Sequence, residues 1–338
     1  MKFIYTGSVQ GPSPKIHYTG QQGGPFGWGT FGAAMAREFQ RAGVWAERDS
    51  ADVIFQPLAD NNFTPSALLG KRNVAMSFFE FELGPDAKAN ADKFETVFVG
   101  STWCQQRCTE AGILNTRVLI QGVDGDIFKP QPPREPDGTI RIFSGGKFEY
   151  RKGQDLVIAA FREFVKVHPE AHLVCAWFNP WPALFKTMAH TKVISPLAHG
   201  ATQPEFFRSL LRNNGLADSQ FTILPQLSHT DLAREMARTD FGLFPNRCEG
   251  GNNLVMQEYL ATGKLAVANT ATGQWDMRCE DILEIPFTKD ENHWAVQTVD
   301  DIVRSMIHAA SDHEPLELPS AWRWTWEAAA RTVFDALS

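Results

Sequence analysis

No stretch of this sequence approaches the roughly 18 consecutive apolar residues needed to cross a bilayer. The opening Met-Lys-Phe-Ile-Tyr-Thr-Gly lacks the apolar core and small-residue cleavage site of a secretory signal. Membrane spanning and secretion are disfavoured, and a cytoplasmic protein is expected. Cysteine is scarce: Cys104, Cys108, Cys175, Cys248 and Cys279 are five in 338 residues, an odd number too thinly spread for a disulfide framework. Reduced thiols suit that setting. Cys104 and Cys108 stand one helical turn apart, but no CxxC or histidine pair lies nearby to complete a tetrahedral metal site, and the nine histidines show no ligand spacing. A basic excess is missing too. The 32 basic and 39 acidic residues leave a net charge of −7, with 12 and 13 through residue 130 and 20 and 26 beyond it, so neither half advertises a polyanion-binding face. Internal repeats of solenoid length and low-complexity tracts are absent, and the Ser144 to Gly153 segment is neither a Walker loop nor GxGxxG.

What is present is ample apolar material, 43% of residues, in a chain longer than the roughly 250 to 300 residues at which a single core stops growing. Short β-rich runs alternate with helical patterns at 3–5, 53–55, 74–76, 97–99, 118–120, 140–143, 173–175, 221–224, 241–244 and 265–267. Continuous apolar strands separated by helices predict parallel sheets covered on both faces. The expected fold is α/β with two doubly wound domains. Lys129 to Gly138 carries four prolines and cannot continue a helix or a central strand, which makes 131–138 the expected linker between a domain at 1–130 and another at 139–315. Two apolar stripes mark helices behind glycine-containing loops: Phe31, Met35 and Phe39 with Ala34 and Ala42, ending at Gly43, and Leu156, Ala160, Phe164 and Val167.

Ligands of open α/β sheets bind beyond the carboxyl ends of the strands, so the loops there are where chemistry is sought. Ser144 to Gly153 follows one predicted strand and precedes a helix; its glycines permit close backbone approach, and Lys147, Arg151 and Lys152 supply positive charge. A phosphate site and a tight turn with solvated lysines are both compatible with that spacing. Asn246 to Gly263 is the second cluster. Asn252 or Asn253 can cap a helix starting at Leu254, whose free N–H groups favour an anion, with Gly250 and Gly251 beside it. Glu249 in the loop and Glu258 in the helix suit polyol hydroxyls, although a capped helix with two surface glutamates fits equally. Trp177 to Phe185 can stack a base or sugar, the simpler reading being a plug at the core edge.

The order of these pieces resembles the GT-B glycosyltransferases, specifically the retaining family 4 (glycosyl transferases group 1) type. Gly27-Trp28-Gly29 is similar to the family's N-terminal glycine loop, and Ser101-Thr102-Trp103, Gly122-Val123-Asp124 and Phe128-Lys129-Pro130 to its passage into the linker. Gly146-Lys147 with Lys152-Gly153 resembles its "GR … KG" element, Glu249 to Glu258 its two-glutamate motif, and Trp326 its closing tryptophan helix. Lys147 stands where the family usually has arginine, keeping charge but not the planar fork. Glu258 follows Glu249 by nine residues, one more than the family's commonest spacing. Where many members carry a histidine, this chain has Ser77 to Pro85, which moves the expected sugar or acceptor contact to Glu80.

The resemblance implies two Rossmann-like domains facing across a cleft, with 316–338 packing back on the first. It implies that Lys147 and Lys152 neutralise a donor diphosphate, that Glu249 and the backbone of Gly250, Gly251, Asn252, Asn253 and Leu254 hold the transferred sugar, and that Glu258 binds ribose. Gly146 belongs to the phosphate loop, and Gly29 would bring a backbone amide to the phosphates. The reaction implied is metal-independent, retaining transfer of a hexose-type sugar from a nucleoside-diphosphate sugar, such as a UDP- or GDP-sugar, to an acceptor hydroxyl on a saccharide, a lipid-linked glycan or another compound. No other cofactor is expected. Front-face attack, with a phosphate oxygen taking the acceptor proton, is favoured over Glu249 as covalent nucleophile. The alternatives are a nucleotide-sugar-binding protein without transfer activity and a glycosyltransferase acting on modified bases of DNA, the latter against the acidic balance.

Overall fold

Strands of Val, Ile, Phe and Ala without polar alternation must be covered on both faces, and each apolar stripe of helix finds its cover on such a sheet. In the computed structural model the described residues are 14–24, 26–66, 70–132, 134–311 and 320–338. They gather into two units, one drawn from Met1–Gly100, Gln105–Gly122 and Trp326–Ser338, the other from Ser101–Cys104 and Val123–Thr325. The strand predicted at 3–5 lies outside the described residues. No helix among them is long and apolar enough to cross a membrane.

In the first unit, β1 (Ile16–Tyr18), α1 (Gly27–Arg41), β2 (Val53–Leu58), β3 (Arg72–Ser77), α2 (Ala87–Ala91), β4 (Thr96–Val99), α3 (Thr102–Glu110) and β5 (Thr116–Val118) follow one another. Only the first turn of α3 falls in the other unit. The strands pair in parallel in sequence order, for instance Phe55 beside Val74 and Met76 beside Phe98. Phe31, Met35 and Phe39 of α1 are fully buried. The C-terminal helix Trp326–Leu337 packs here: the Trp326 ring lies 6.1 Å from Phe31, Phe334 lies 5.8 Å from Phe39, and Arg72 donates to the Leu337 carbonyl at 3.2 Å.

The second unit runs β6 (Ile140–Lys147), α4 (Gln154–Phe164), β7 (Ala171–Phe178), α5 (Pro182–Phe185), α6 (Gln203–Asn213), β8 (Phe221–Ile223), α7 (His229–Ala237), β9 (Phe241–Phe244), α8 (Leu254–Ala261), β10 (Leu265–Ala268), β11 (Ile282–Glu284), the antiparallel pair β12 (Thr288–Lys289) and β13 (Ala295–Val296), and α9 (Val299–Ser311). Its large sheet is parallel in the order β11-β10-β9-β6-β7-β8. Neighbouring residues of β6 feed opposite cores: Ile142 joins Leu156, Phe161, Phe207 and Ile302, whereas Phe143 joins Met256, Tyr259 and Phe244. The sheet is thus covered on both faces, as a doubly wound fold requires.

The division between units differs from the expected 131–138. Val123 and Phe128 already belong to the second core, and the Val123 N–H donates to the Trp324 carbonyl at 2.9 Å. The proline-rich stretch is pinned to its own unit: Arg134 pairs with Asp137 at 2.7 Å and with Asp240 at 3.0 Å, and Arg141 pairs with Asp137 at 2.5 Å. Likewise, Ala321 is buried in the second core, and Ser320 N–H donates to Asp281 at 2.7 Å, so the described residues before Trp326 stay behind when the last helix leaves. Val167, placed on the stripe of α4, lies beyond its end and is exposed.

Candidate functional site

Strand order reverses in the second unit between β6 and β9: the chain leaves β6 toward β7 and β8, then returns to its other side through β9 toward β10 and β11. Loops leaving adjacent strands there diverge to opposite faces and open a crevice at the carboxyl ends, where doubly wound sheets bind ligands. The two loops at that point are 148–153 after β6 and 245–253 after β9, the two clusters singled out in the sequence.

The first loop turns through a short 3-10 segment, Tyr150–Lys152, into α4 at Gly153. Gly153 has φ +75, and a Cβ there would collide with the Pro245 carbonyl oxygen of the second loop. Only glycine lets the two backbones approach so closely. Arg247 fastens them further: its guanidinium is bidentate to the buried Asp155 of α4 at 2.8 Å, donates to the Tyr150 carbonyl at 2.6 Å, and lies 3.7 Å above the Tyr150 ring.

This clamp brings Lys152 and Glu249 together. Lys152 Nζ stands 2.6 and 2.9 Å from the two Glu249 carboxylate oxygens. Arg151 Nη1 donates to Glu249 Oε2 at 3.0 Å and to the Cys248 carbonyl at 2.8 Å; its Nη2 donates to Glu149 at 2.6 Å. Asn246 donates to the other Glu249 oxygen. Lys147 closes the chain 3.3 Å from Glu149, with its ammonium 5.1 Å from the Trp181 ring centre. Burial pushes the Glu249 carboxyl up, but the Lys152 and Arg151 charges outweigh it and hold the group below its ordinary range. Glu149 behaves alike, burial being outweighed by Arg151 and then Lys147. Three cations and two carboxylates leave this cluster one positive charge to offer an anion.

The Glu249 loop is shaped from behind by buried amides. Thr272 Oγ1 accepts the Glu249 N–H at 2.9 Å, the Glu249 carbonyl accepts the Gly273 N–H at 2.9 Å, and a side chain at Gly273 would strike the Gly251 carbonyl. Asn253 caps α8, its Oδ1 accepting the Met256 N–H at 3.3 Å while its amide donates to Gln274 at 3.0 Å. Asn252 donates to Gln257. The side chains of Asn252 and Asn253 are therefore spent on building the loop, and what the helix start has to offer is backbone N–H. Gly250 presents its carbonyl to the Ser101 hydroxyl at 2.7 Å, and neither it nor Gly251 has positive φ.

Glu258 is placed differently. One turn inside α8, it is 6% exposed, and among the described residues nothing hydrogen-bonds or pairs with its carboxyl, which burial alone pushes up to about 8. A buried carboxyl without a partner is costly unless a ligand supplies one.

Other expected positions fall elsewhere. Gly29 lies in the first turn of α1, where its N–H already goes to the Phe26 carbonyl at 2.9 Å rather than outward. Glu80 follows β3 in the first unit, half-buried. Gly146 is the next-to-last residue of β6, paired with Trp177, with φ +121 and open space where a side chain would project. Of the aromatic stretch, Trp177 is a core residue donating to Ser144 at 3.0 Å, and Trp181 is 43% exposed. Asp124-Gly125-Asp126 has the Asp-x-Asp pattern, but it forms a turn in which Asp124 accepts the Asp126 N–H at 3.1 Å. Among the described residues no three His, Cys, Asp or Glu side chains converge. The 710 Å³ cavity lined by Arg134, Asp137, Asp240 and Lys264 lies at the opposite, amino-terminal edge of the sheet, where Arg134 already pairs with Asp137 and Asp240. Sequence reading missed Arg151 as the centre of the cluster and Asn246 and Thr272 as its supports; the Arg-Lys pair before Gly153 is the one signal that pointed there.

No family model matches the chain, and no curated protein matches it. Solved structures do match. The chain is similar to a sucrose-phosphate synthase from Thermosynechococcus elongatus, with TM-score 0.58 and 15% identity over 90% of this chain and 73% of that one. It is similar to HepE of Anabaena in complex with UDP-glucose, with TM-score 0.58 and 14% identity over 96% of both chains. The catalytic domain of starch synthase IV from Arabidopsis thaliana, bound to ADP and acarbose, matches with TM-score 0.55 and 13% identity over 91% of this chain and 75% of that one. At such identities the likeness carries the fold, the GT-B arrangement of Rossmann-like units.

Proposed function

We propose that this chain, which shares the GT-B fold of those synthases, is a nucleotide-sugar-dependent glycosyltransferase that moves a hexose-type sugar to an acceptor hydroxyl with retention and without a metal. The observation that carries the reading is the Lys152–Glu249 pair, 2.6 Å apart at the point where strand order reverses, with the unpartnered Glu258 one turn into the adjoining helix. A ribose diol would give Glu258 the two hydrogen-bond donors that the protein does not supply. Lys152, Lys147 and the backbone N–H groups at the start of α8 would take the diphosphate, whose charge grows as the bond to the sugar breaks. Glu249, kept ionised by its neighbours, would accept hydroxyls of the sugar. Its ion pairs also make it a poor nucleophile, which supports front-face attack with the departing phosphate oxygen receiving the acceptor proton.

UDP-glucose and ADP, the ligands of HepE and starch synthase IV, set the order of a binding panel. The test is thermal shift against nucleoside diphosphates and their sugars, with and without EDTA, on wild type and Glu258→Ala. Ligand that binds only the native state raises the melting temperature by mass action. One nucleotide series should raise it regardless of EDTA, and less in Glu258→Ala. A chain that no nucleotide stabilises would not be this enzyme, and a shift abolished by EDTA would remove the metal-independent mechanism.

A further inference from the structure

We propose that Arg151 is a positioning residue of the sugar site: it keeps the Glu249 carboxylate in place when Lys152 turns from that carboxylate to the donor diphosphate. The inference rests on the glycosyltransferase reading and names the residue on which its sugar contact depends. Lys152 spends its ammonium on both Glu249 oxygens, at 2.6 and 2.9 Å. An incoming diphosphate is the stronger anion, and lysine, a point charge on a flexible stem, can follow it. Glu249 is 5% exposed, so with Lys152 gone a lone carboxylate would take up a proton and lose half its capacity to accept sugar hydroxyls.

Arg151 cannot follow the phosphate in the same way. Its planar fork is held on both arms, Nη1 by the Cys248 carbonyl at 2.8 Å and Glu249 at 3.0 Å, Nη2 by Glu149 at 2.6 Å, and its side chain is only 8% exposed. Glu149 is fixed in turn: its N–H donates to Gln154 at 3.3 Å, and its carboxylate also faces Lys147 at 3.3 Å. The three consecutive roles are therefore distinct. Glu149 anchors Arg151, Arg151 anchors Glu249, and Lys152 is the movable cation. Asn246 remains as the second fixed donor to Glu249.

The test compares calorimetric binding of the nucleoside diphosphate and of its nucleotide sugar, together with donor turnover against pH, in wild type, Arg151→Lys and Arg151→Gln. Because Arg151→Gln takes the shared guanidinium from two buried carboxylates and endangers folding, the pair Glu149→Gln with Arg151→Gln is carried beside it. Diphosphate affinity should stay close to wild type in Arg151→Lys and in the Glu149→Gln with Arg151→Gln pair, both of which keep the net charge of the cluster, while the preference for the nucleotide sugar over the diphosphate is lost. The kcat of the glutamine variants should drop about 100-fold, as for a reacting group displaced by an ångström. The acid limb of the kcat profile should move to higher pH, with Arg151→Lys falling between. Equal loss of diphosphate and nucleotide-sugar affinity would make Arg151 a phosphate ligand and overturn the proposal. So would a lowered melting temperature with unchanged kcat and unchanged pH profile. Should wild type bind neither ligand, the glycosyltransferase reading fails first, a result visible before any variant is made.

Discussion

Glu258 is the residue whose chemistry is least satisfied by the protein itself. Its carboxyl titrates near 8 because burial penalises the charge and nothing compensates. A folded-state value raised above the unfolded one adds stability that is complete below the ordinary glutamate range and is lost as pH rises through 8. Glu258→Gln removes that dependence. The variant should melt with wild type near pH 4 and above it at pH 8 to 9, a gap of a few kcal/mol, since each pH step between the unfolded and folded titration points is worth about 1.4 kcal/mol. Nucleotide binding at pH 7 should release a proton from wild type and none from the variant, read by calorimetry in buffers of different ionisation enthalpy. Parallel stability profiles for the two proteins would contradict this description of the site. Glu258 and Glu249 were both legible in the sequence, but their contrast was not. Their spacing is symmetrical on paper, whereas one carboxylate lies among two cations and an amide and the other meets no partner, a difference set by residues up to 98 positions away.

At the scale of elements, the close approach of the two strand-end loops depends on Gly153. Gly153→Ala adds backbone strain at φ +75 and a collision with the Pro245 carbonyl, whereas Gly138→Ala adds the strain alone, at φ +76 with open space around it. Gly138→Ala should cost about 1 to 2 kcal/mol. Gly153→Ala should cost more and also weaken nucleotide binding, because the loops must part; denaturant melts and the thermal-shift panel separate the two. Equal costs with unchanged binding would mean that the loops adjust freely. The strands at 53, 74, 97, 140, 173, 221, 241 and 265 were legible because each carries an apolar-rich run, β8 at the sheet edge included. β1 and β11 were not, because neither three-residue strand carries such a run: Ile16-His17-Tyr18 is interrupted by a histidine and Ile282-Leu283-Glu284 ends in a glutamate. Proline misled in the other direction: 131–138 looks like a linker by composition, yet Arg134, Asp137 and Arg141 bind it to the sheet through pairings no local pattern displays.

For the molecule as a whole, two units each with its own parallel sheet, the return of the C-terminal helix to the first, and a net charge of −7 fit the proposed transferase of small anionic donors rather than a binder of polyanions. The measurement that tests this most directly is proton NMR of the purified chain incubated with the nucleotide sugar that stabilises it, with water as the acceptor of last resort. Slow release of nucleoside diphosphate, with the free sugar appearing first in the anomeric configuration of the donor and at the same rate in EDTA, is the result expected. Absence of release from every nucleotide sugar that binds would reduce the chain to a binding protein, and first appearance of the opposite anomer would contradict the retaining mechanism built on Lys152 and Glu249.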